Sequence, residues 1–312
     1  MAIPEKVTSS ENPSFEWNLT IDTIKPIEMT VALPVYQAKH SIWFALESLR
    51  RQTKIYFGWE LIIQEEHGSS VQIVKNFINR LPNCQRILYQ ALNPNREGRK
   101  SGPNQNKILL IDKWVWMCQL RSPTSKIYVM QSADDYSPTK RLATHYNHFT
   151  TNSKCIFSTQ HRGLFFNIFT NKRIVYNGTT LPKARTHLNM AYRMKYFSKV
   201  HNRTEKTRGI DSYIRMTIET ESGHKFNPNQ ICYLDQTEPG IWKTGFFTDG
   251  CNTISKSRKK FYLNIKPPYV RYDPNHGIWE RIPEPVLSYL KALHSFLNKK
   301  TTVPPAIPHN LD

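Results

Sequence analysis

The sequence predicts an α/β protein with a mainly parallel sheet flanked by helices. Four short apolar runs are typical of strands buried on both faces. Amphipathic segments of helical period lie between them, and strands that alternate with helices at this spacing indicate parallel βαβ units. The 312 residues are enough for one large domain or two small ones, and the second half is less regular and strongly basic.

The first half of the chain carries the alternating elements. MTVALPVY (29–36) is a continuous Val-rich run, which predicts a buried strand. HSIWFALESLRRQT (40–53) places its apolar residues on one helical face, and WELIIQ (59–64) predicts the second buried strand. The other elements predicted in this half are a helix over 71–81, a strand over 86–92, a loop over 93–104, a helix over 107–120 and a strand over 126–132.

The flanking parts of the chain have weaker patterns. Residues 1–28 lack sustained periodicity and are expected to form an arm or loop. After residue 150 the predicted elements are short strands over 155–158 and 174–176 and helices over 187–200, 209–220 and 285–300, followed by a proline-rich tail.

Positive charge is concentrated in two parts of the second half. Lysine and arginine number 43 against 24 acids, a net charge of +19. Lys154 to Arg208 contains twelve basic residues and one acid, Glu205, and Lys256 to Arg271 contains six basic residues and no acid. Such a field attracts polyanions, with nucleic acid favoured over an anionic membrane surface or an acidic polymer. A merely solubilising surface is the simpler alternative.

The composition also bears on location. There is no run of about 18 apolar residues, so no membrane-spanning helix is predicted. MAIPEKVTSS lacks the basic-then-apolar pattern of a signal peptide, and the five scattered cysteines, without metal-ligand spacing, are interpreted as reduced thiols. These features predict a cytoplasmic protein, in the host cell cytoplasm if the chain is viral.

Two adjacent aspartates, Asp134 and Asp135, follow the strand predicted over 126–132. Ligands of open parallel sheets bind beyond the carboxyl ends of the strands, where these residues fall. Capping of the next helix is the alternative, but Ser137 and Pro138 suit the N-cap and first turn of that helix. Two hard carboxylates at a strand end favour a divalent cation that holds phosphate oxygens.

Six segments occur together in one order: VALPVYQ (31–37), ALESLRRQT (45–53), WELIIQEEHGS (59–69), YVMQSADDYSPTKRL (128–142), HLNMAYRMKYFSKV (187–200) and RGIDSYIRM (208–216). In this order they resemble the family-2 glycosyltransferases, whose fold is the Rossmann-like GT-A sheet. The resemblance covers roughly residues 29–220. It implies that a hexose or pentose is transferred from a nucleotide-sugar to a hydroxyl acceptor with inversion.

The resemblance also implies a division of the chain and a donor pocket. Pro34, Val35 and Tyr36 would line the nucleotide pocket, Glu65 stands where the family has an aspartate that recognises the base, and Lys107 could reach the diphosphate. The implied divisions are an arm (1–28), a nucleotide-sugar-binding half (29–150), an acceptor-binding and catalytic half with a basic character (151–283), and a C-terminal helix and tail (284–312).

A divalent metal, Mn²⁺ or Mg²⁺, is implied by the family's Asp-x-Asp motif. Here the motif aligns with Ser132, Ala133 and Asp134, so the first acid is absent. Asp134 is then expected to be the principal metal ligand, with Asp135 nearby and Ser132 a weak helper.

The catalytic base implied by the family is Asp211. This residue stands in a basic context at the start of a predicted helix, which keeps a carboxylate ionised. An inverting transfer needs one base that takes the proton of the acceptor hydroxyl. Asp249 and Glu219 are alternative bases, and stabilisation of a helix dipole is the alternative role of Asp211.

The acceptor favoured by the charge pattern is DNA. Aromatic residues interleave with the basic ones, a mixture that suits nucleic-acid contact. The leading hypothesis is a sugar transfer to a hydroxymethylated pyrimidine base, as in bacteriophage DNA modification, with the base extruded from the duplex. The alternatives are a polysaccharide, lipid or protein acceptor, or a non-catalytic nucleic-acid-binding protein with this fold.

Overall fold

The computed structural model describes residues 16–20, 25–36, 38, 42–93, 110–133, 137, 139–159, 162–167, 172–177, 190–196, 231–233, 270–271, 288–289, 291–292, 295, 301 and 306. The helix predicted over 209–220 and most of both basic segments lie outside these residues.

In chain order the elements are β1 (Glu16–Thr20), β2 (Ile27–Val35), α1 (Ile42–Arg50), β3 (Gly58–Glu66), α2 (Val71–Lys75), β4 (Cys84–Leu92), α3 (Leu110–Leu120), β5 (Ile127–Met130), α4 (Arg141–Thr151), β6 (Phe157–Thr159), β7 (Arg162–Asn167), β8 (Lys172–Asn177), β9 (Ala191–Arg193), a 3₁₀ turn (Met194–Tyr196), β10 (Ile231–Tyr233) and β11 (Val270–Arg271).

The main sheet has the strand order β1-β4-β3-β2-β5-β9-β6-β10. Its centre, β4-β3-β2-β5, is parallel throughout, as is the outer pair β6-β10. β1 and β9 join their neighbours antiparallel, and β11-β8-β7 form a separate antiparallel sheet. The predicted α/β class, with a Rossmann-like, mainly parallel sheet flanked by helices, is confirmed.

The core lies on both faces of the central strands, which is why each of them contains a run of consecutive apolar residues. On one face Leu61 of β3 packs in a cluster with Trp43 of α1 and Leu142 of α4. On the other face the next residue, Ile62, packs in a cluster with Trp114 of α3. Successive residues of a strand point to opposite faces, so one apolar run supplies two helix layers.

Four local predictions differ from the structure. The arm predicted over 1–28 contains β1, which pairs with β4. The helix predicted over 71–81 ends at Lys75, and Asn79 has a left-handed φ of 64° that a helix cannot continue through. Ser137 is not an N-cap, because Lys140 holds that position and the Ser137 hydroxyl donates to Gln131 Oε1 (2.6 Å).

The fourth difference is at residues 187–200, where the sequence pattern predicts a helix. Ala191–Arg193 form β9, inserted between β5 and β6, and Met194–Tyr196 form a 3₁₀ turn. Met190, Tyr192 and Met194 all face the cluster that contains Trp114. This spacing of two residues is the period of a strand, and the longer apolar pattern around it obscures it in the sequence.

The cysteines are not all reduced. Cys84 and Cys118 are free and buried, and burial raises the pKa of the Cys118 thiol to about 12. Cys155 is disulfide-bonded. The interpretation of all five cysteines as reduced thiols is therefore wrong at Cys155, whose sequence context carries no spacing that would reveal a disulfide.

No helix within the described parts of the chain combines the length and the apolar character that a membrane crossing requires.

Residues near the C-terminus pack against the first helix of the fold. Positions 288, 289, 291, 292 and 295 are helical, in agreement with the helix predicted over 285–300. The Tyr289 ring is 3% exposed, and its centroid lies 5.2 Å from those of both Trp43 and Phe44 in α1. Since α1 follows β2 in the chain, this aromatic contact helps to fix the helix that supports the end of β2.

We expect Tyr289→Ala to lower the free energy of unfolding by about 3 kcal/mol, because it removes a buried ring from two aromatic neighbours. Lys291→Ala, an exposed change on the same helical segment, is the matched control and should stay within about 0.5 kcal/mol of the wild type. Chemical denaturation measures both. Equal stability of the two variants would contradict the docking of this segment on α1.

Candidate active site

The register of the parallel strands brings three strand ends to one edge of the sheet. Val35, the last residue of β2, pairs with Glu65 of β3. On the other side of β2, Ala32 pairs with Met130, the last residue of β5, and the Gln131 amide donates to the Ala32 carbonyl at 2.9 Å. Side chains that follow β2, β3 and β5 therefore surround a common edge, which is where open parallel sheets bind ligands.

This edge, hereafter the carboxyl edge, collects several of the residues that the sequence singled out. Tyr36 follows β2 and is half-buried, and Ser132 and the buried Ala133 follow β5. The predicted site residues that the structure brings together here are Pro34, Val35, Tyr36, Glu65, Ser132 and Ala133. Lys107, Asp134, Asp135, Asp211, Glu219 and Asp249 lie outside the described residues, and their roles stay predictions.

Glu65 is held by hydrogen bonds from within the protein. Its Oε1 accepts from the hydroxyls of Ser69 (2.7 Å) and Ser70 (2.9 Å). Its Oε2 accepts from the Ser70 amide (2.8 Å) and from the Tyr89 hydroxyl. Burial is the main cause that raises the pKa of Tyr89 far above its ordinary value, and the negative charge of Glu65 adds to it. The Tyr89 phenol therefore stays protonated and donates to Glu65.

These four contacts give Glu65 a role in fixing the turn between β3 and α2. A carboxylate offers about four lone-pair positions, and four donors contact this one. The side chain is also fully buried. The recognition of a base by Glu65 stays a prediction, and it would require a donor to share an oxygen with Ser69, Ser70 or Tyr89.

A buried ion pair joins the neighbouring residue to α3. The Lys113 ammonium is hydrogen-bonded to Glu66 Oε2 and donates to the Val35 carbonyl at 2.7 Å. The Lys113 side chain is 2% exposed and that of Glu66 is fully buried. One cation therefore ties α3 to the carboxyl ends of both β2 and β3.

Tyr36 lies within the electrostatic reach of this pair. Because Val35 pairs with Glu65, the residues that follow them, Tyr36 and Glu66, are neighbours at the ends of their strands. Burial and, secondly, the negative charge of Glu66 raise the pKa of the Tyr36 hydroxyl above its ordinary value. The phenol is thus a neutral hydrogen-bonding group at neutral pH.

A second buried cation stands at the end of β5. Arg141, the first residue of α4, is fully buried and donates to the Met130 carbonyl, to Gln131 Oε1 and to the Ser137 hydroxyl (2.8 Å). The guanidinium thus binds residues that precede and follow the two aspartates in the sequence. It provides positive charge beside the end of β5.

Lys113 and Arg141 are the functional candidates that sequence reasoning missed. Both are charged residues within helices of amphipathic pattern, where a charged side chain usually faces solvent. Lys113 directly precedes the buried Trp114, and Arg141 directly precedes the buried Leu142. That adjacency is the one signal in the sequence, and it does not distinguish a buried cation from an exposed one.

Of the predicted metal ligands, Ser132 lies within the described residues, and Asp134 and Asp135 lie outside them. Within the described residues there is no group of three or more His, Cys, Asp or Glu side chains that could hold a metal ion. Ser132 lies at the carboxyl edge. The remaining donors, Asp134 and Asp135, are carboxylates, which are the oxygen ligands that Mg²⁺ and Mn²⁺ prefer. The chemistry of the donor set therefore fits a hard divalent cation.

We expect Glu65→Ala to lower the free energy of unfolding by about 3 kcal/mol or more, because it leaves the buried Tyr89 hydroxyl and Ser70 amide without their acceptor. Tyr89→Phe is the graded control, since it removes one donor and should cost about 1 kcal/mol. Chemical denaturation measures both variants. A Glu65→Ala protein as stable as the wild type would contradict the hydrogen-bond network around this carboxylate.

Comparisons with known proteins give structural matches alone. No family model matches the chain, and no curated protein matches it. S. aureus TarS, residues 1–349, has a TM-score of 0.46 and 14% sequence identity, with 88% of each chain covered. The same TarS fragment in complex with UDP-GlcNAc gives a TM-score of 0.44 and 15% sequence identity. That match covers 68% of this chain and 57% of the TarS chain.

A third match is the mannosyltransferase PcManGT from Pyrobaculum calidifontis in complex with GDP-Man and Mn²⁺. Its TM-score is 0.42 at 13% identity, with 76% of this chain and 62% of that chain covered. Two of the three structures thus contain a nucleotide-sugar. Because every TM-score is below 0.5, the similarity carries no weight for the function of this chain.

Proposed function

We propose that this protein is an inverting glycosyltransferase of the GT-A type, which moves a sugar from a nucleotide-sugar to a hydroxyl acceptor. The observation that carries the proposal is the carboxyl edge, where the segments that resemble the family's donor-binding motifs converge. Pro34 to Tyr36, Glu65 to Glu66, and Ser132 to Ala133 come from three separate strands. Each segment resembles the family through its own residues, and the parallel register of the strands places the three at one edge of the sheet.

The donor would bind across this edge. Tyr36 offers an aromatic ring and a neutral hydroxyl to the nucleoside, beside the backbone of Pro34 and Val35. The diphosphate would extend toward the end of β5, where Asp134 and Asp135 follow Ala133 in the sequence. Lys107 would contact the diphosphate.

A divalent cation would be held by Asp134 and Asp135, with Ser132 as a weaker oxygen donor. When bound, such a cation supplies positive charge that stabilises the departing diphosphate. Arg141 contributes to the same end of the sheet, because its buried guanidinium holds Gln131 and Ser137 on either side of the aspartates in the sequence.

Asp211 would act as the general base. It accepts the proton of the acceptor hydroxyl while that oxygen attacks the anomeric carbon of the sugar. The bond between the anomeric carbon and the diphosphate oxygen breaks, and the nucleoside diphosphate leaves with the electron pair. A single displacement of this kind inverts the anomeric configuration. Asp249 and Glu219 are the alternative bases.

The acceptor that we propose is a hydroxymethylated pyrimidine in DNA. The support is the charge of the chain: a net +19, with eighteen basic residues and one acid in the two segments 154–208 and 256–271. Cations at this density bind phosphates and make affinity depend on salt. A base within a duplex would have to be extruded to reach the donor.

We expect transfer of a hexose or pentose to duplex DNA that contains 5-hydroxymethyluracil or 5-hydroxymethylcytosine. The assay uses a donor panel that includes UDP-GlcNAc and GDP-mannose with Mn²⁺ or Mg²⁺, and nucleoside mass spectrometry detects the added sugar. Asp211→Asn and Asp134→Asn, which keep the side-chain size, should each lower the rate by about 10²-fold or more, because they remove the base and the principal metal ligand.

Unmodified duplex DNA is the control acceptor, and the unfolding midpoints of both variants control for folding. Donor hydrolysis that depends on Asp134, without a DNA product, would retain the glycosyltransferase and exclude DNA, leaving polysaccharide, lipid or protein acceptors. If no donor is bound or hydrolysed, the proposal fails and a non-catalytic nucleic-acid-binding protein becomes the better account.

We expect duplex DNA binding that weakens linearly with the logarithm of salt concentration. The double variant Lys259→Glu/Lys260→Glu should bind more weakly and lower the slope by about 0.9 for each phosphate that the protein no longer neutralises. Lys54→Glu/Lys126→Glu changes the net charge equally at exposed positions outside both basic segments and should retain the wild-type slope. Equal weakening in the two double variants, measured by fluorescence anisotropy, would indicate binding by net charge rather than by a DNA site.

A further inference from the structure

The Lys113–Glu66 pair differs from the other ion pairs between described residues. In those pairs Glu47 contacts Arg50 and Arg51, and Glu60 contacts Arg86, and each arginine side chain is 19–26% exposed. In the Lys113–Glu66 pair neither side chain reaches that exposure, with 2% for the lysine and 0% for the glutamate. Both charges are therefore removed from water.

Burying both charges is a costly way to join three elements. The loss of hydration of two buried ions often exceeds their mutual attraction, and apolar residues of similar volume can be as stable or more stable. Stability alone is therefore a weak explanation for this pair. Its place is informative, because Lys113 contacts the Val35 carbonyl at the carboxyl edge, where we propose that the nucleotide binds.

The charge of Glu66 would matter to an anionic ligand at this edge. Glu66 is adjacent in sequence to Glu65, so two carboxylates end β3. A nucleoside diphosphate is itself an anion, and like charges in a poorly solvated site repel each other strongly. Glu65 is surrounded by neutral donors from Ser69, Ser70 and Tyr89. Lys113 supplies a full positive charge to Glu66.

We propose that Lys113 is a positioning residue of the donor site that acts through Glu66. Its ammonium offsets the negative charge of Glu66 and, by bonding to both Glu66 and the Val35 carbonyl, joins the ends of β3 and β2, so that an anionic nucleotide binds beside Tyr36 without repulsion from Glu66. This inference rests on the proposed function, since it assumes that the nucleotide binds at the carboxyl edge.

The test compares variants that break the same ion pair but leave opposite charges. Lys113→Met removes the positive charge and keeps the Glu66 carboxylate, whereas Glu66→Gln removes the negative charge and keeps the Lys113 ammonium. The double variant Lys113→Met/Glu66→Gln removes both charges. Calorimetric titration with UDP and with GDP, in the presence of Mn²⁺, measures the dissociation constants, and chemical denaturation measures stability in parallel.

We expect Lys113→Met to weaken nucleotide binding at least tenfold and Glu66→Gln to tighten it about threefold. The double variant should return to within about threefold of the wild type. Lys113→Gln, which retains a hydrogen-bond donor for Val35 and removes the charge, should weaken binding in the same direction. It therefore keeps the test decisive if the methionine variant does not fold.

Equal effects of the two single substitutions on nucleotide affinity would overturn the inference. If Lys113→Met and Glu66→Gln weaken binding equally and the double variant does not recover, the pair only supports the fold. Unchanged affinity in Lys113→Met and Lys113→Gln would overturn it as well. The wild-type titration tests the proposed function separately, because a wild-type protein that binds neither UDP nor GDP refutes the donor site itself.

Discussion

The constraint on which the rest of this structure depends is the parallel register of β2 between β3 and β5. The apolar residues of the four central strands lie on both faces of the sheet, so both faces must be covered, and helices cover them. The helices then return the chain to the same starting edge for every strand. As a result Val35, Glu65 and Gln131, far apart in the sequence, reach one edge of the sheet, while their connections pass to the opposite edge. The candidate site is a consequence of this register.

The charged side chains at that edge bind partners from within the protein. Glu65 is surrounded by donors from the β3–α2 turn and from Tyr89, Glu66 is paired with Lys113, and Arg141 binds the residues that follow β5. The side chains of Glu65, Glu66, Lys113 and Arg141 are each at most 2% exposed. Removing one partner of a buried ion pair is more costly than breaking a surface pair. The edge is therefore built as a rigid electrostatic surface, a property that suits a site required to orient an anionic substrate.

The sequence predicts correctly the secondary-structure elements whose residue patterns are local. It does not predict the elements and buried charges that depend on contacts between distant parts of the chain. The strands β2, β3 and β4 are predictable because each contains a short run of consecutive apolar residues. The convergence of Tyr36, Glu65 and Ser132 follows from parallel topology. The sequence predicts a helix in place of β9, although Met190, Tyr192 and Met194 alternate, because the pairing of this strand depends on two distant partners, β5 and β6. Lys113 and Arg141 could not be recognised, since nothing local distinguishes a buried cation on an amphipathic helix from an exposed one. The disulfide of Cys155 could not be predicted either, because it depends on which cysteine lies close to Cys155 in the folded chain.

The most direct measurement of the central claim is an experimental structure of the protein with a nucleoside diphosphate and Mn²⁺. The account predicts that the nucleoside contacts Tyr36 at the carboxyl edge, that the diphosphate lies toward the end of β5, and that the metal ion is bound by Asp134 or Asp135. A nucleotide bound elsewhere, or a metal ion that contacts neither aspartate, would contradict the assignment of this edge as the donor site.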